Sequence, residues 1–182
     1  MLDQRKLLGP EEIKLTIRRL CQQLIENHSD FSNTVFIGIQ PRGSLLCKRI
    51  ISEMSLIDKS LSIMSGNIDI SFHRDDIMRR DEPIVPKSMD INFNVEEKNV
   101  VLIDDVLFTG RTIRSAMDAL MLFGRANKIE LLTLIDRKYS RHLPIEPNYV
   151  GKTINTLDSE KIIVEWQELS GQDKILILSN DK

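Results

Sequence analysis

The stretch that most constrains this chain is residues 100–112, which read VVLIDDVLFTGRT. Its first four residues are apolar and mostly β-branched, and such a run predicts a buried strand. Two adjacent carboxylates, Asp104 and Asp105, follow directly, and a Thr-Gly pair then leads to a helical periodicity that begins at Thr112. Ligands of open α/β sheets bind at the carboxyl ends of the strands. The stretch therefore predicts an α/β fold with a ligand site at the end of this strand.

The rest of the chain alternates strand-like and helical patterns. Helices are predicted from Pro10, around residues 45–54 and at 112–123, the last ending at Gly124. Short apolar or alternating runs predict the strands, which are 34–39, 68–72, 99–105, 129–135, 161–166 and 174–178. Strands that alternate with helices are typical of a mostly parallel sheet flanked by helices.

Composition narrows the class of protein. The chain has 182 residues, which suits one domain over residues 1–182, and its 41% hydrophobic content is enough to form a core. Because 25 Lys and Arg face 27 Asp and Glu, no global basic field for nucleic acid is expected. No apolar run approaches the roughly 20 residues that span a bilayer, and no signal peptide is expected. Cys21 and Cys47 are predicted to be small buried residues, and the protein is predicted to be cytoplasmic.

The loop after the acidic pair has the chemistry of a phosphate site. Gly110 lets the chain curl closely around an anion, Thr109 and Thr112 add hydroxyl donors, and a helix N-terminus adds partial positive charge. The two carboxylates would repel a phosphate and suit sugar hydroxyls or a divalent cation instead. An acidic pair that only caps the next helix is the structural alternative. The P-loop and dinucleotide-binding glycine patterns are both absent.

Residues 100–120 resemble the phosphoribosyl-pyrophosphate (PRPP) motif of type I phosphoribosyltransferases. More narrowly, the chain resembles the bifunctional pyrimidine operon regulator/uracil phosphoribosyltransferase (PyrR) family. The further matching stretches are GIQPRG at 38–43, NIDISFHRDD at 67–76, IDR at 135–137 and LPIEPNYVGKTI at 143–154. The resemblance implies the type I phosphoribosyltransferase fold. It also implies a flexible active-site loop at about 74–92 and a small hood at about 138–160 plus the terminal strands.

The resemblance implies conversion of uracil and PRPP to UMP and pyrophosphate. Mg²⁺ would be carried by PRPP, with no direct protein ligand. Asp104, Asp105 and Arg42 would be the catalytic residues, with the two aspartates holding the ribose hydroxyls. The PRPP-binding residues would be Asp104, Asp105, Val106, Leu107, Phe108, Thr109, Gly110, Arg111 and Thr112.

Three further groups of site residues are implied by the same resemblance. The pyrophosphate loop would be Gln40, Pro41, Arg42 and Gly43. The flexible loop would contribute Arg74, Arg79 and Arg80. Base binding would involve Asp136, Arg137, Tyr149 and Val150, with residues 149–152 part of the hood. Family members also form dimers or larger homo-oligomers, so self-association is expected.

The chain departs from the RNA-binding members of the family, which attenuate pyrimidine operons in response to uridine nucleotides. Gln40-Pro41, Gln22 and Asn27 stand where those members carry Lys-Thr, a histidine and an arginine, although Arg18 and Arg19 remain. Because phosphate contacts dominate nucleic-acid affinity, the lost charges favour the enzyme over the RNA-binding attenuator. The 136–144 stretch is also one residue longer than usual. The hood match favours a pyrimidine over a purine base.

Overall fold

The computed structural model describes residues 2–28, 30–71, 90–157 and 159–180. These residues form eight strands and four α-helices. In chain order they are β1 (Leu2–Leu8), α1 (Pro10–Asn27), β2 (Thr34–Ile39), α2 (Arg42–Ile57), β3 (Met64–Ile68), β4 (Asn99–Leu107), α3 (Arg111–Leu120), β5 (Lys128–Lys138), β6 (Tyr149–Asn155), β7 (Glu160–Glu165), α4 (Gln167–Ser170) and β8 (Lys174–Asn180). A 3₁₀ turn, Met121–Phe123, continues α3.

The main sheet is five-stranded and parallel, in the order β3-β2-β4-β5-β6. Its central strand is β4, which places the acidic pair at the middle of the sheet's carboxyl edge. β3 differs from its prediction, because it ends at Ile68 and the next residue, Asp69, is buried instead of exposed. Parallel pairing with β2, from Val35 opposite Met64 onward, sets this earlier register. Phe72 and nearly all of the predicted flexible loop lie outside the described residues.

A second sheet of three antiparallel strands, β1-β8-β7, joins the two ends of the chain. It corrects the predicted hood, because residues 149–155 form β6 of the main sheet and only the part from Glu160 onward joins the terminal strands. Arg49 of α2 ties this sheet to the main body. Its guanidinium lies 4.5 Å from the Trp166 ring centre and pairs with Asp173 at 2.7 Å.

Helices cover both faces of the main sheet, which confirms the predicted layers. The larger core packs α1 and α2 against one face, with Leu20, Leu24 and Ile50 fully buried. The smaller core packs α3 against the other face. Cys21 and Cys47 are buried and unpaired as predicted, and burial raises the pKa of each thiol to about 12. No helix in the described ranges combines the length and apolar content needed to cross a bilayer.

Candidate active site

The acidic pair opens into a cavity at the carboxyl edge of the main sheet. The cavity has a volume of about 240 Å³. It is lined by Asp104, Val106, Leu107, Phe108, Thr109, Gly110, Arg111, Thr112, Ile113 and Ser115. The sequence-predicted PRPP-binding residues are thus brought together around one concave space, with Asp105 beside it in β4.

The two aspartates differ in exposure, since Asp104 is buried and Asp105 is half-buried. Burial raises the pKa of Asp104 well above its usual range, and the adjacent charge of Asp105 raises it further. Burial likewise raises the pKa of Asp105, although the positive charge of Arg42 partly offsets this. The Asp104 carboxylate accepts a hydrogen bond from the backbone N–H of Asp105 at 3.0 Å. A carboxylate that has lost contact with water is stabilised strongly by hydrogen bonds from the hydroxyl groups of a ligand.

The loop after the pair, residues 106–110, has the geometry of an anion-binding site and is called here the cradle. Gly110 has φ of +89°, which glycine adopts without strain, and it caps the N-terminus of α3. A side chain on Gly110 would also meet Ile145 at 3.2 Å. α3 is ten residues long, so the N–H groups of its first turn and its dipole favour negative charge at this end.

The Gln40–Gly43 turn places the start of α2 beside the acidic pair. The turn contains a cis peptide bond between Gln40 and Pro41. Arg42 is the first residue of α2, is exposed, and is close enough to lower the pKa of both aspartates. Gly43 is buried against β4, and a Cβ there would lie 2.4 Å from the carbonyl oxygen of Ile103. The turn therefore brings a permanent positive charge to the cavity.

The residues predicted to contact the base do not all lie around one cavity. The Arg137 guanidinium lies 3.9 Å from the Phe108 ring centre, is 4% exposed, and donates to Thr156 Oγ1 at 2.7 Å. Asp136 is buried and paired with Arg141. Arg137 thus packs against Phe108, which lines the 240 Å³ cavity, and Asp136 is held by an ion pair.

Tyr149 and Val150 begin β6 and lie in different surroundings. The Tyr149 hydroxyl contacts His28 Nε2 at 3.3 Å, at the end of α1, so the structure does not bring this side chain to the cradle. Val150 lines a separate cavity of about 460 Å³ together with Asp136 and Thr153. Arg74, Arg79 and Arg80 lie outside the described residues.

Arg141 is a site residue that the sequence analysis did not identify. Its guanidinium donates to the carbonyl oxygens of Phe108 in the cradle and Arg137 in β5, in addition to pairing with Asp136. Backbone carbonyl partners leave no pattern of residue types in a sequence. The one signal available was an arginine within a polar stretch that directly follows a predicted base-side motif.

Comparison with known proteins gives a consistent result. Residues 4–169 match the phosphoribosyl transferase domain family. The chain is 40% identical over 176 residues to the "Bifunctional protein PyrR" of Actinobacillus pleuropneumoniae serotype 5b, covering 96% of this chain and 97% of the relative. It is 38% identical over 178 residues to the protein of the same name from Bacillus subtilis, with coverage of 96% and 97%.

Solved structures agree on the fold. A hypoxanthine phosphoribosyltransferase from Staphylococcus aureus superposes with a TM-score of 0.70 at 23% identity, covering 94% of this chain and 90% of that one. The Trypanosoma cruzi enzyme gives 0.72 at 14% identity, with 97% of each chain covered. The type I phosphoribosyltransferase fold is thereby confirmed. The chain belongs to the phosphoribosyl transferase family and, within it, to the PyrR group.

Proposed function

We propose that this protein transfers the phosphoribosyl group of PRPP to uracil and releases UMP and pyrophosphate. The observation that carries the proposal is the Asp104-Asp105 pair, with Asp104 buried and Asp105 half-buried, directly beside an anion cradle at the N-terminus of α3. Acceptors for a sugar diol next to a phosphate site match ribose 5-phosphate. The choice of uracil rests on membership of the PyrR group.

In the proposed reaction the side chains bind and orient PRPP. The aspartates accept hydrogen bonds from the 2′ and 3′ hydroxyls, and the backbone N–H groups of the cradle hold the 5′-phosphate. The bond between C1 and pyrophosphate breaks as a uracil nitrogen forms its bond to C1 and loses its proton. Arg42, whose positive charge acts on both aspartates, would stabilise the charge that develops on pyrophosphate.

Magnesium is proposed to enter with PRPP. In the described ranges, no group of three or more histidine, cysteine, aspartate or glutamate side chains could hold a metal ion. The negative charge of Asp104 and Asp105 at the cavity suits a cation nearby, while the ligands of the ion would come from the substrate and water. When bound, Mg²⁺ neutralises the charge of the leaving group. Self-association into a dimer or larger homo-oligomer stays a prediction.

A turnover assay with uracil, PRPP and Mg²⁺ tests the proposed activity. We expect UMP to form, with hypoxanthine and orotate as much poorer bases. Replacing Arg42 with alanine should lower kcat/KM by roughly 10- to 100-fold, the range for loss of one charged hydrogen bond. Lys48→Ala, an exposed change on the same helix, is the control and should retain activity. Equal turnover of hypoxanthine would contradict the choice of base.

RNA binding through the α1 face is expected to be weak. α1 carries three acidic and three basic residues, so it has no net positive charge. Arg19 donates to the carbonyl oxygens of Val150 and Gly151, and Arg18 lies 3.7 Å from Glu53. Arg19 is thus engaged within the protein, and the exposed Arg18 has an acidic neighbour that partly offsets its charge.

Fluorescence anisotropy with a pyrimidine-leader hairpin measures this affinity. We expect a Kd in the non-specific range, roughly 10⁻⁴–10⁻⁶ M at physiological salt, with no enhancement by UMP. Asn27→Arg adds a positive charge on the exposed side of α1. The RNA affinity of this variant should fall more steeply with salt concentration, by about the amount that one additional phosphate contact causes. Tight, UMP-enhanced binding by the unmodified protein would show instead that the attenuator function is retained.

A further inference from the structure

Residues 139–145, called here the strap, cross over the phosphate cradle. Successive carbonyl groups of the cradle accept hydrogen bonds from the strap. The Arg141 guanidinium donates to the carbonyl oxygens of Leu107, at 3.4 Å, and Phe108. The next carbonyl, that of Thr109, accepts from the backbone N–H groups of His142 at 3.0 Å and Leu143 at 3.2 Å.

This pattern decides where the N–H groups of the cradle point. In a planar trans peptide the carbonyl and the N–H of the following residue point in opposite directions. Because the three carbonyls of residues 107–109 face the strap, the N–H groups of Phe108, Thr109 and Gly110 face away from it. The same residues line the 240 Å³ cavity. Three backbone donors are therefore aimed at the space where the proposed 5′-phosphate binds.

Arg141 is itself held firmly. Its Nε donates to the carbonyl oxygen of Ile145 at 3.0 Å, its Nη1 to that of Arg137 at 2.9 Å, and its Nη2 pairs with Asp136. The Arg141 side chain is 21% exposed and that of Asp136 is 7% exposed. All three guanidinium nitrogens therefore have partners within the protein, and through the carbonyl groups of residues 107 and 108 Arg141 acts directly on the cradle.

We propose that Arg141 is a positioning residue that sets the orientation of the phosphate-binding N–H groups. This role deepens the proposed function and rests on it for the identity of the phosphate ligand. A planar guanidinium donates to several carbonyls and a carboxylate at once, whereas a lysine ammonium is a compact charge that cannot span them. Arg141→Lys keeps the charge beside Asp136 and removes the geometry.

The test compares two ligands that occupy different parts of the site. Ribose 5-phosphate needs the cradle, whereas pyrophosphate with Mg²⁺ needs the Gln40–Gly43 turn. In ³¹P NMR titrations, Arg141→Lys should bind ribose 5-phosphate about tenfold more weakly and pyrophosphate within about twofold of the unmodified protein. The matched control is Arg125→Lys, an exposed position in the connection between α3 and β5, which should alter neither affinity.

Equal weakening for both ligands, or none for ribose 5-phosphate, would overturn the proposal. Should Arg141→Lys fold poorly, Arg141→Ala combined with Asp136→Asn removes the ion pair without leaving a buried charge, and the same split between ligands is expected. Uracil takes no part in these titrations. Failure to form UMP would therefore contradict the choice of uracil as the base. It would not bear on the role of Arg141, which the titrations alone decide.

Discussion

Asp104→Asn is expected to abolish most catalysis while making the protein more stable. The Asp104 carboxylate is 6% exposed, and burial together with Asp105 raises its pKa. The amide removes the buried charge, and its oxygen can still accept from the N–H of Asp105. The Asp104→Asn variant nevertheless lacks the charged acceptor for a ribose hydroxyl. We expect kcat/KM to fall roughly 100-fold or more and the melting temperature to rise by about 2–4 °C, which corresponds to roughly 1 kcal/mol.

The pH dependence supplies an independent check on this substitution. A carboxyl whose pKa is raised by folding stabilises the folded state below its unfolded pKa, about 3.9, and loses that contribution as pH rises through the folded value. The stability advantage of Asp104→Asn should therefore be largest at alkaline pH and shrink on acidification, as the native carboxyl takes up its proton. Calorimetric scans from pH 5 to 8 measure this difference.

Asp118→Asn is the control for the same chemical change. Asp118 is half-exposed on α3 and lies 3.6 Å from Arg114, so its replacement should alter both turnover and stability only slightly. An Asp104→Asn protein that is less stable than the native one at pH 8 would contradict the account that burial and the charge of Asp105 make the Asp104 carboxylate destabilising.

The sequence predicted the part of the site that is local in the chain. Residues 100–112 form one strand, one loop and one helix start, so their order alone places Asp104, Gly110 and Thr112 around a common cavity. The Gln40–Gly43 turn, which the family resemblance implied as the pyrophosphate loop, is also local in the chain, because it connects β2 directly to α2.

The remaining features depend on contacts that are distant in sequence. β1 has a polar sequence and forms a strand by pairing with β8, where Arg5 lies opposite Ile177. Tyr149 was assigned to the hood from a motif, whereas pairing with Leu132 places it in the main sheet. Arg141 acts through backbone carbonyls and a buried ion pair, so neither periodicity nor spacing identifies its role.

The approach of α2 to β4 depends on the absence of a side chain at Gly43. A Cβ at this position would lie 2.4 Å from the carbonyl oxygen of Ile103 and 3.1 Å from the Cα of Asp104. Both are backbone atoms of the central strand, so the helix must move away from β4 to relieve the contact. Such a shift would separate Arg42 from the acidic pair and open the larger core, to which Leu46 and Ile103 both contribute.

Gly43→Ala is therefore expected to destabilise the protein by about 2–4 kcal/mol, although alanine is favoured over glycine in an unhindered helix by about 1 kcal/mol. Turnover should fall even at temperatures where the variant stays folded, because the charge of Arg42 is displaced. Urea unfolding together with the UMP assay measures both effects. Ser52→Ala, an exposed change on the same helix, isolates helix propensity and should be neutral or slightly stabilising. A Gly43→Ala protein as stable as Ser52→Ala would mean that α2 can move away from β4 at little cost, and the close packing would then not be what fixes Arg42 beside the acidic pair.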